Sequence, residues 1–162
     1  PCPCGYYNHP EKECSCPSGA VQKYRNKISG PLLDRIDLHV EVTPVPFSAL
    51  SAQKGGEDSA TIRERVIKAR EIQSARYNGH EGIYCNAQIS SKMLKEICDI
   101  GAAGQALLKT AMDKLNLSAR AYDRILKVSR TIADLAGDGN IKTEHLAEAI
   151  QYRSLDREGW AG

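Results

Sequence analysis

At Gly55-Gly56-Glu57-Asp58 the chain changes character, and the change limits the folds open to it. Before it, residues 1–16 are dense in Cys, Pro, Gly and Tyr and cannot build a core alone. Val21, Tyr24 and Ile28, spaced three and four apart, predict a short helix over 18–28. Gly30-Pro31 predicts a turn, and Asp37-Leu38-His39-Val40-Glu41-Val42 alternates as a strand does. Pro44 and Pro46 then end the strand, because proline removes ladder donors.

After Asp58 the pattern is helical. Ile62, Val66 and Ala69 mark a stripe on a helix over 59–77, Thr61 with Glu64 matches a capping box, and Asn78-Gly79-His80 closes the helix. Helices over 90–98 and 102–115 follow, separated by Asp99-Ile100-Gly101. Ser118 caps a helix whose Ala121, Ile125, Val128, Ile132 and Leu135 share one face, and Gly137-Asp138-Gly139-Asn140 ends it. A last helix, 143–153, carries Leu146 and Ile150. The fold expected is mainly α: the end of an α/β unit over 1–45, a linker over 46–58, and a helical bundle over 59–162. No internal repeat is visible.

Lys and Arg total 22 and Asp and Glu 20, so the net charge of +2 points to no nucleic-acid or membrane partner by itself; such a partner needs a local patch. No apolar run approaches the roughly 18 residues of a membrane span, and Pro-Cys-Pro-Cys is no signal peptide, so a cytoplasmic protein is expected. The missing initiator Met suggests a fragment of something longer.

Cys2, Cys4, Cys14 and Cys16 form two C-x-C pairs. Four thiolates on a short loop can close a tetrahedral site around zinc and make up for the missing apolar core. C-x-C is tighter than the usual spacing of structural zinc sites, and His9, inside the loop, is a candidate to replace one thiolate. Without a secretion signal, metal or free thiols are favoured over disulfides. Four protein ligands leave no open position, so the role expected is structural. Cys85 and Cys98 read as buried spectators.

Two arginines carry the chemistry. Arg35 follows the Gly30-Pro31 turn and precedes the alternating run; a guanidinium there suits stabilising charge on a transferring phosphoryl group. Its ordinary reading is an ion pair with Asp34 or Asp37. Arg120 lies in the first turn of the Ser118 helix, where free amides and the macrodipole already favour anions. Arg124 and Lys127 share its face and read as a solvated basic edge.

These motifs together resemble the magnesium-chelatase-like AAA+ ATPases, and within them the competence-type ComM/YifB branch. The likeness rests on Pro1-Cys2-Pro3-Cys4-Gly5, on Ile28-Ser29-Gly30-Pro31-Leu32-Leu33-Asp34-Arg35-Ile36-Asp37-Leu38-His39-Val40-Glu41-Val42, on Leu117-Ser118-Ala119-Arg120-Ala121-Tyr122-Asp123-Arg124-Ile125 and on His145-Leu146-Ala147-Glu148-Ala149-Ile150-Gln151-Tyr152-Arg153. It implies that residues 1–45 end a AAA+ α/β core and that 59–162 are its helical lid. It also implies a homo-hexameric ring using ATP and Mg2+, with Arg35 as an arginine finger acting on the neighbouring subunit and Arg120 as the sensor-2 arginine. Competence-type members look like DNA motors acting on branched intermediates in natural transformation.

One departure is plain: no G-x-x-x-x-G-K-[ST] occurs in these residues, so the chain alone is not expected to hydrolyse ATP. Two other readings stand beside the motor. One is the ATPase of a magnesium-chelatase complex. The other is a zinc-stabilised binding module in which Lys12, Lys23, Arg25 and Lys27, with Tyr6, Tyr7 and Tyr24 for stacking, contact nucleic acid or a partner.

Overall fold

In a computed structural model, which describes residues 2–42, 44–45 and 55–153, the chain is organised around one helix. The described elements are α1 (Ser18–Arg25), α2 (Gly30–Leu33), α3 (Ser59–Arg76), a 3-10 turn (Asn86–Gln88), α4 (Ser91–Ile97), α5 (Gly101–Leu115), α6 (Ala119–Ala136) and α7 (Thr143–Gln151). Helix α6 packs against α3, the 3-10 turn, α4 and α7, and α5 packs against α7.

Local chemistry explains the limits of α6. The Ser118 hydroxyl accepts from the Ala121 amide at 3.2 Å, and Gly137 ends the helix at φ 75°, a conformation glycine adopts without steric cost. Ile125, Leu126 and Ala133 of α6 join Tyr77, Ile89, Leu94, Cys98, Leu108, Ile141, Leu146 and Ala149 in one apolar core. Gly104 of α5 leaves room for the helix's own cap residue: a Cβ there would sit 2.8 Å from the Ile100 Cβ, while a Leu146 methyl of α7 lies at ordinary contact, 3.5 Å.

Several expectations change. Residues 37–42 form no regular element, with a bend at Asp37, and no strand lies beside them among the described residues. Leu38, Val40 and Val42 are exposed, and the His39 amide instead donates to the Tyr152 carbonyl at 2.8 Å. Alternation marks a two-faced extended segment; a ladder also needs a neighbour. Gly30-Pro31 opens a single helical turn, with proline near the N-terminus where its missing N–H costs nothing. Helix α1 stops at Arg25, before Ile28.

The cap of α3 is Asp58, whose carboxylate accepts from the Thr61 amide at 2.7 Å, in place of the Thr61–Glu64 box. Of its stripe only Ala69 is buried; Ile62 and Val66 are exposed. On α6 the buried side is Ala121, Ile125, Leu126, Ser129, Arg130, Ala133 and Asp134, while Val128 and Ile132 are half-buried and Leu135 is exposed. Most of the expected linker (46–54), Thr43 and the end of the chain (154–162) lie outside the described residues.

Candidate functional site

The run from Leu33 to His39 is fastened to the bundle at nearly every residue, and Arg35 stands out from it. Arg153, wholly buried just after α7, donates from Nη1 to the Ile36 carbonyl and from Nη2 to the Leu33 carbonyl at 3.5 Å, with the Asp34 carboxylate 3.9 Å away. A buried guanidinium is costly unless its donors are met; its planar fork spans two carbonyls where a lysine would meet one. Arg124 of α6 pairs with Asp37 at 2.7 Å. Leu33 is buried beneath the segment.

Arg35 itself is exposed, and its Nη1 donates to the Pro31 carbonyl at 2.6 Å. Neither acidic neighbour is its partner: Asp37 takes Arg124, and Asp34 lies by Arg153. The ion pair expected for Arg35 is therefore replaced by a backbone contact. Through that contact the side chain folds back on α2 while remaining exposed to solvent.

Arg120 is exposed in the first turn of α6, as its position after the Ser118 cap requires. One turn later Arg124 forms the ion pair with Asp37, so the helix carrying Arg120 also contacts the segment carrying Arg35. Lys127 donates to the Ala87 carbonyl at 3.0 Å. Arg124 and Lys127 are thus committed to contacts rather than forming a solvated edge.

The four cysteines converge. Cys2 Sγ lies 3.3 Å from Cys4 Sγ and 3.5 Å from Cys14 Sγ, Cys4 lies 3.6 Å from Cys14, and all four sulfurs fall within 4.8 Å of one another. Four thiolates at about 2.3 Å from a zinc ion would be spaced by roughly 3.8 Å, so the donor set fits a tetrahedral ion. A turn closed by the Gly5 amide on the Cys2 carbonyl (3.1 Å), with Gly5 at φ 82°, brings the tight C-x-C sulfurs together. His9 is not a ligand: its Nδ1 accepts from the Glu11 and Lys12 amides, both at 3.1 Å, and so braces the loop.

The cluster polarises its own thiols. The Tyr6 amide and the Cys2 thiol bring Cys4 down to about 6. Cys14 is pushed up to about 12: the Cys16 amide favours its thiolate, but burial and hydrogen bonding with Cys2 and Cys4 outweigh that. Four sulfurs this close cannot all ionise without a cation among them. This loop could hold a metal ion. Cys98 fits a buried spectator, its thiol raised to about 11 by burial, whereas Cys85 is half-exposed and donates to Gln88 Oε1 at 3.5 Å.

The basic and aromatic residues around this loop already contact one another. The Lys12 ammonium lies 5.0 Å over the Tyr6 ring, the Arg25 guanidinium 5.8 Å over Tyr7, and Lys27 5.3 Å over Tyr24.

A second cluster has no counterpart in the sequence reading. Asp134, buried on α6, accepts from Arg76 at 2.5 and 2.8 Å, from Asn86 at 2.8 Å and from Arg130 Nε at 3.1 Å. Arg130 also donates to the Gly139 and Asp138 carbonyls at 2.9 and 2.7 Å, and the Tyr77 hydroxyl donates to Asn86 at 2.6 Å. Burial alone would raise the Asp134 carboxyl; the Arg76 and Asn86 hydrogen bonds and the Arg130 charge hold it below its ordinary value. This cluster ties α3, the 3-10 turn and the α6–α7 loop to one helix. The Arg130–Asp134 spacing of four was its one visible signal.

This geometry describes a helical bundle with a clamped arginine segment and a thiolate loop before it. Sequence comparison gives the class. The family model for the C-terminal part of magnesium chelatase subunit ChlI matches residues 56–153, and that for magnesium chelatase subunit ChlI matches 1–50. The chain belongs to the magnesium chelatase ChlI family. Among individual proteins it is 43% identical over 158 residues to competence protein ComM of Haemophilus influenzae, covering 97% of this chain and 30% of that protein. To the protein YifB of Escherichia coli it is 39% identical over 158 residues, again 97% of this chain and 30% of the relative. Mb2921c of Mycobacterium bovis is 37% identical over 153 residues, 94% of this chain and 30% of its own length. The chain therefore spans about a third of the length of the curated relatives it matches. No described helix is long and apolar enough to cross a membrane.

Proposed function

We propose that this chain is the lid and intersubunit part of a AAA+ ATPase that works as a homo-hexamer on branched DNA. The observation that carries the reading is the presentation of Arg35: an exposed guanidinium on a segment whose flanking residues are tied to the bundle. Phosphoryl transfer depends on positioning and charge neutralisation, and a guanidinium supplied from a neighbouring subunit contributes about 10³–10⁵ in rate. Arg35 takes that role in trans. Arg120, beside the free amides that begin α6, binds the phosphates as sensor 2.

The phosphate cradle and the Mg2+ ligands of the whole protein lie outside these residues, which hold no G-x-x-x-x-G-K-[ST]; Arg120 adds to that site. The division at the linker, α/β core before and lid after, belongs to the same reading. The exposed row Leu38, Val40 and Val42 is then covered by the sheet of the whole protein. The four thiolates hold zinc as a closed structural site, cytoplasmic conditions keeping them reduced. The likeness to a protein named for competence supports DNA as the substrate of this reading. The test is Arg35→Ala in the whole protein: hydrolysis is lost while nucleotide binding persists. Wild-type turnover in that variant would sink the finger role.

A second reading is favoured by the matching family models, both of magnesium chelatase. In it the same arginines power magnesium insertion into a porphyrin. Stimulation of hydrolysis by branched DNA supports the motor; stimulation by porphyrin with a partner subunit supports the chelatase.

A further inference from the structure

An exposed arginine can act on a neighbour only if its segment stands still, and the means of holding this one are unusual. The flanking backbone carbonyls, those of Leu33 and Ile36, both accept from one buried guanidinium, that of Arg153. Arg153 lies within 3.9 Å of the Asp34 carboxylate, so the residue before Arg35 is engaged as well. Two residues after Arg35, Asp37 pairs with Arg124 at 2.7 Å, and His39 donates its amide to Tyr152 at 2.8 Å. Every one of these partners belongs to α6 or to the end of α7. None comes from the thiolate loop, although that loop is nearer in sequence.

We propose that Arg153 and Arg124 are positioning residues for Arg35, a clamp through which the lid sets where the trans-acting guanidinium stands. The inference rests on reading Arg35 as an arginine finger. Arg124 follows Arg120 by one helical turn on α6, so a shift of α6 on binding phosphate at Arg120 is passed to Asp37 and on to Arg35. The clamp thereby couples a subunit's own nucleotide site to the finger it extends to its neighbour. Both clamp residues are engaged with the segment over 33–37. Weakening the clamp therefore lowers turnover and leaves the binding of ATP unchanged.

The experiment measures steady-state ATP hydrolysis by the whole hexameric protein, with nucleotide binding and thermal unfolding followed on the same samples. The Arg124–Asp37 pair is partly exposed, at 34% and 42%, so its variants remain folded. Asp37→Asn and Arg124→Gln are each expected to lower kcat about threefold with KM for ATP unchanged, within the reach of an exposed ion pair. The exchange Asp37→Arg with Arg124→Asp is expected to recover most of that loss; a merely structural role would instead lower the unfolding temperature and leave kcat of the folded protein unchanged. Arg153→Lys, keeping the charge but losing the second carbonyl, is expected to cost about tenfold in kcat.

Wild-type kcat in both Asp37→Asn and Arg124→Gln, in a protein that Arg35→Ala inactivates, would overturn the clamp and leave the finger standing. An exchange variant that recovers nothing would also overturn it. Full turnover by Arg35→Ala would overturn the finger and the clamp together.

Discussion

The bundle and the segment before it bury different things. From Tyr77 to Ala149 a continuous apolar core is shared by α4, α5, α6, α7 and the turns between them, with the Asp134 cluster set into its side. Between residues 2 and 28 the only buried side chains are Cys2 and Val21. A segment that removes so little apolar surface from water cannot offset the entropy of ordering its backbone. In its place are four converging thiols, braced turns and cation–π pairs. The lesson is that one chain can hold neighbouring regions by separate forces, so that they respond to different insults. Residues 33–39 side with the bundle, because Arg153 and Arg124 reach across to them.

The sharpest way to break this contrast is to deny the four thiols the zinc proposed for them. In the zinc-loaded protein, chelation or Cys2→Ser with Cys4→Ser is expected to abolish hydrogen-exchange protection of the α1 amides while those of α6 keep theirs. Protection of both regions in the chelated protein would mean that the loop needs no ion.

Next in size is Asp134→Leu, which leaves Arg76 and Arg130 buried without their anion; a loss of about 3–5 kcal/mol in denaturant unfolding of the bundle is expected. The same carboxylate sets an acid limb. Its folded value lies below the ordinary one, so its contribution is complete above about pH 4 and fades as pH falls through the folded value. In Asp134→Asn that limb is expected to flatten in a stability–pH profile. Gly104→Ala is smaller: the new methyl meets Ile100, and a cost of about 1–3 kcal/mol is expected from the forced shift. Ser118→Ala removes the α6 cap at about 1 kcal/mol, and its effect on thermal unfolding should spare the thiolate loop.

The helices were legible because the 3.6-residue period and the Ser118 cap are local signals. Periodicity identifies a face but does not say what lies on it. Ile62 and Val66 mark the stripe of α3, yet nothing among the described residues covers them, and 37–42 alternates without a neighbouring strand. The cysteines could be read as a cluster, although His9 as ligand or brace depended on where its ring falls. The two structural arginines were hidden for a physical reason. Arg153 and Arg130 are charged residues that pattern assigns to solvent, and most of their partners are backbone carbonyls, those of Arg153 more than a hundred residues away. Arg35 and Arg120 are singled out by motif alone, and both are exposed.

The central claim is that Arg35 acts on a neighbour's nucleotide. The direct test is complementation in the whole protein: Arg35→Ala protomers are mixed with protomers whose own nucleotide site is disabled, and ATP hydrolysis is measured across mixing ratios. Each parent alone should be inactive, and activity should appear in the mixture, where intact arginines face intact sites. A mixture as inactive as its parents, with mixed rings formed, would contradict action in trans.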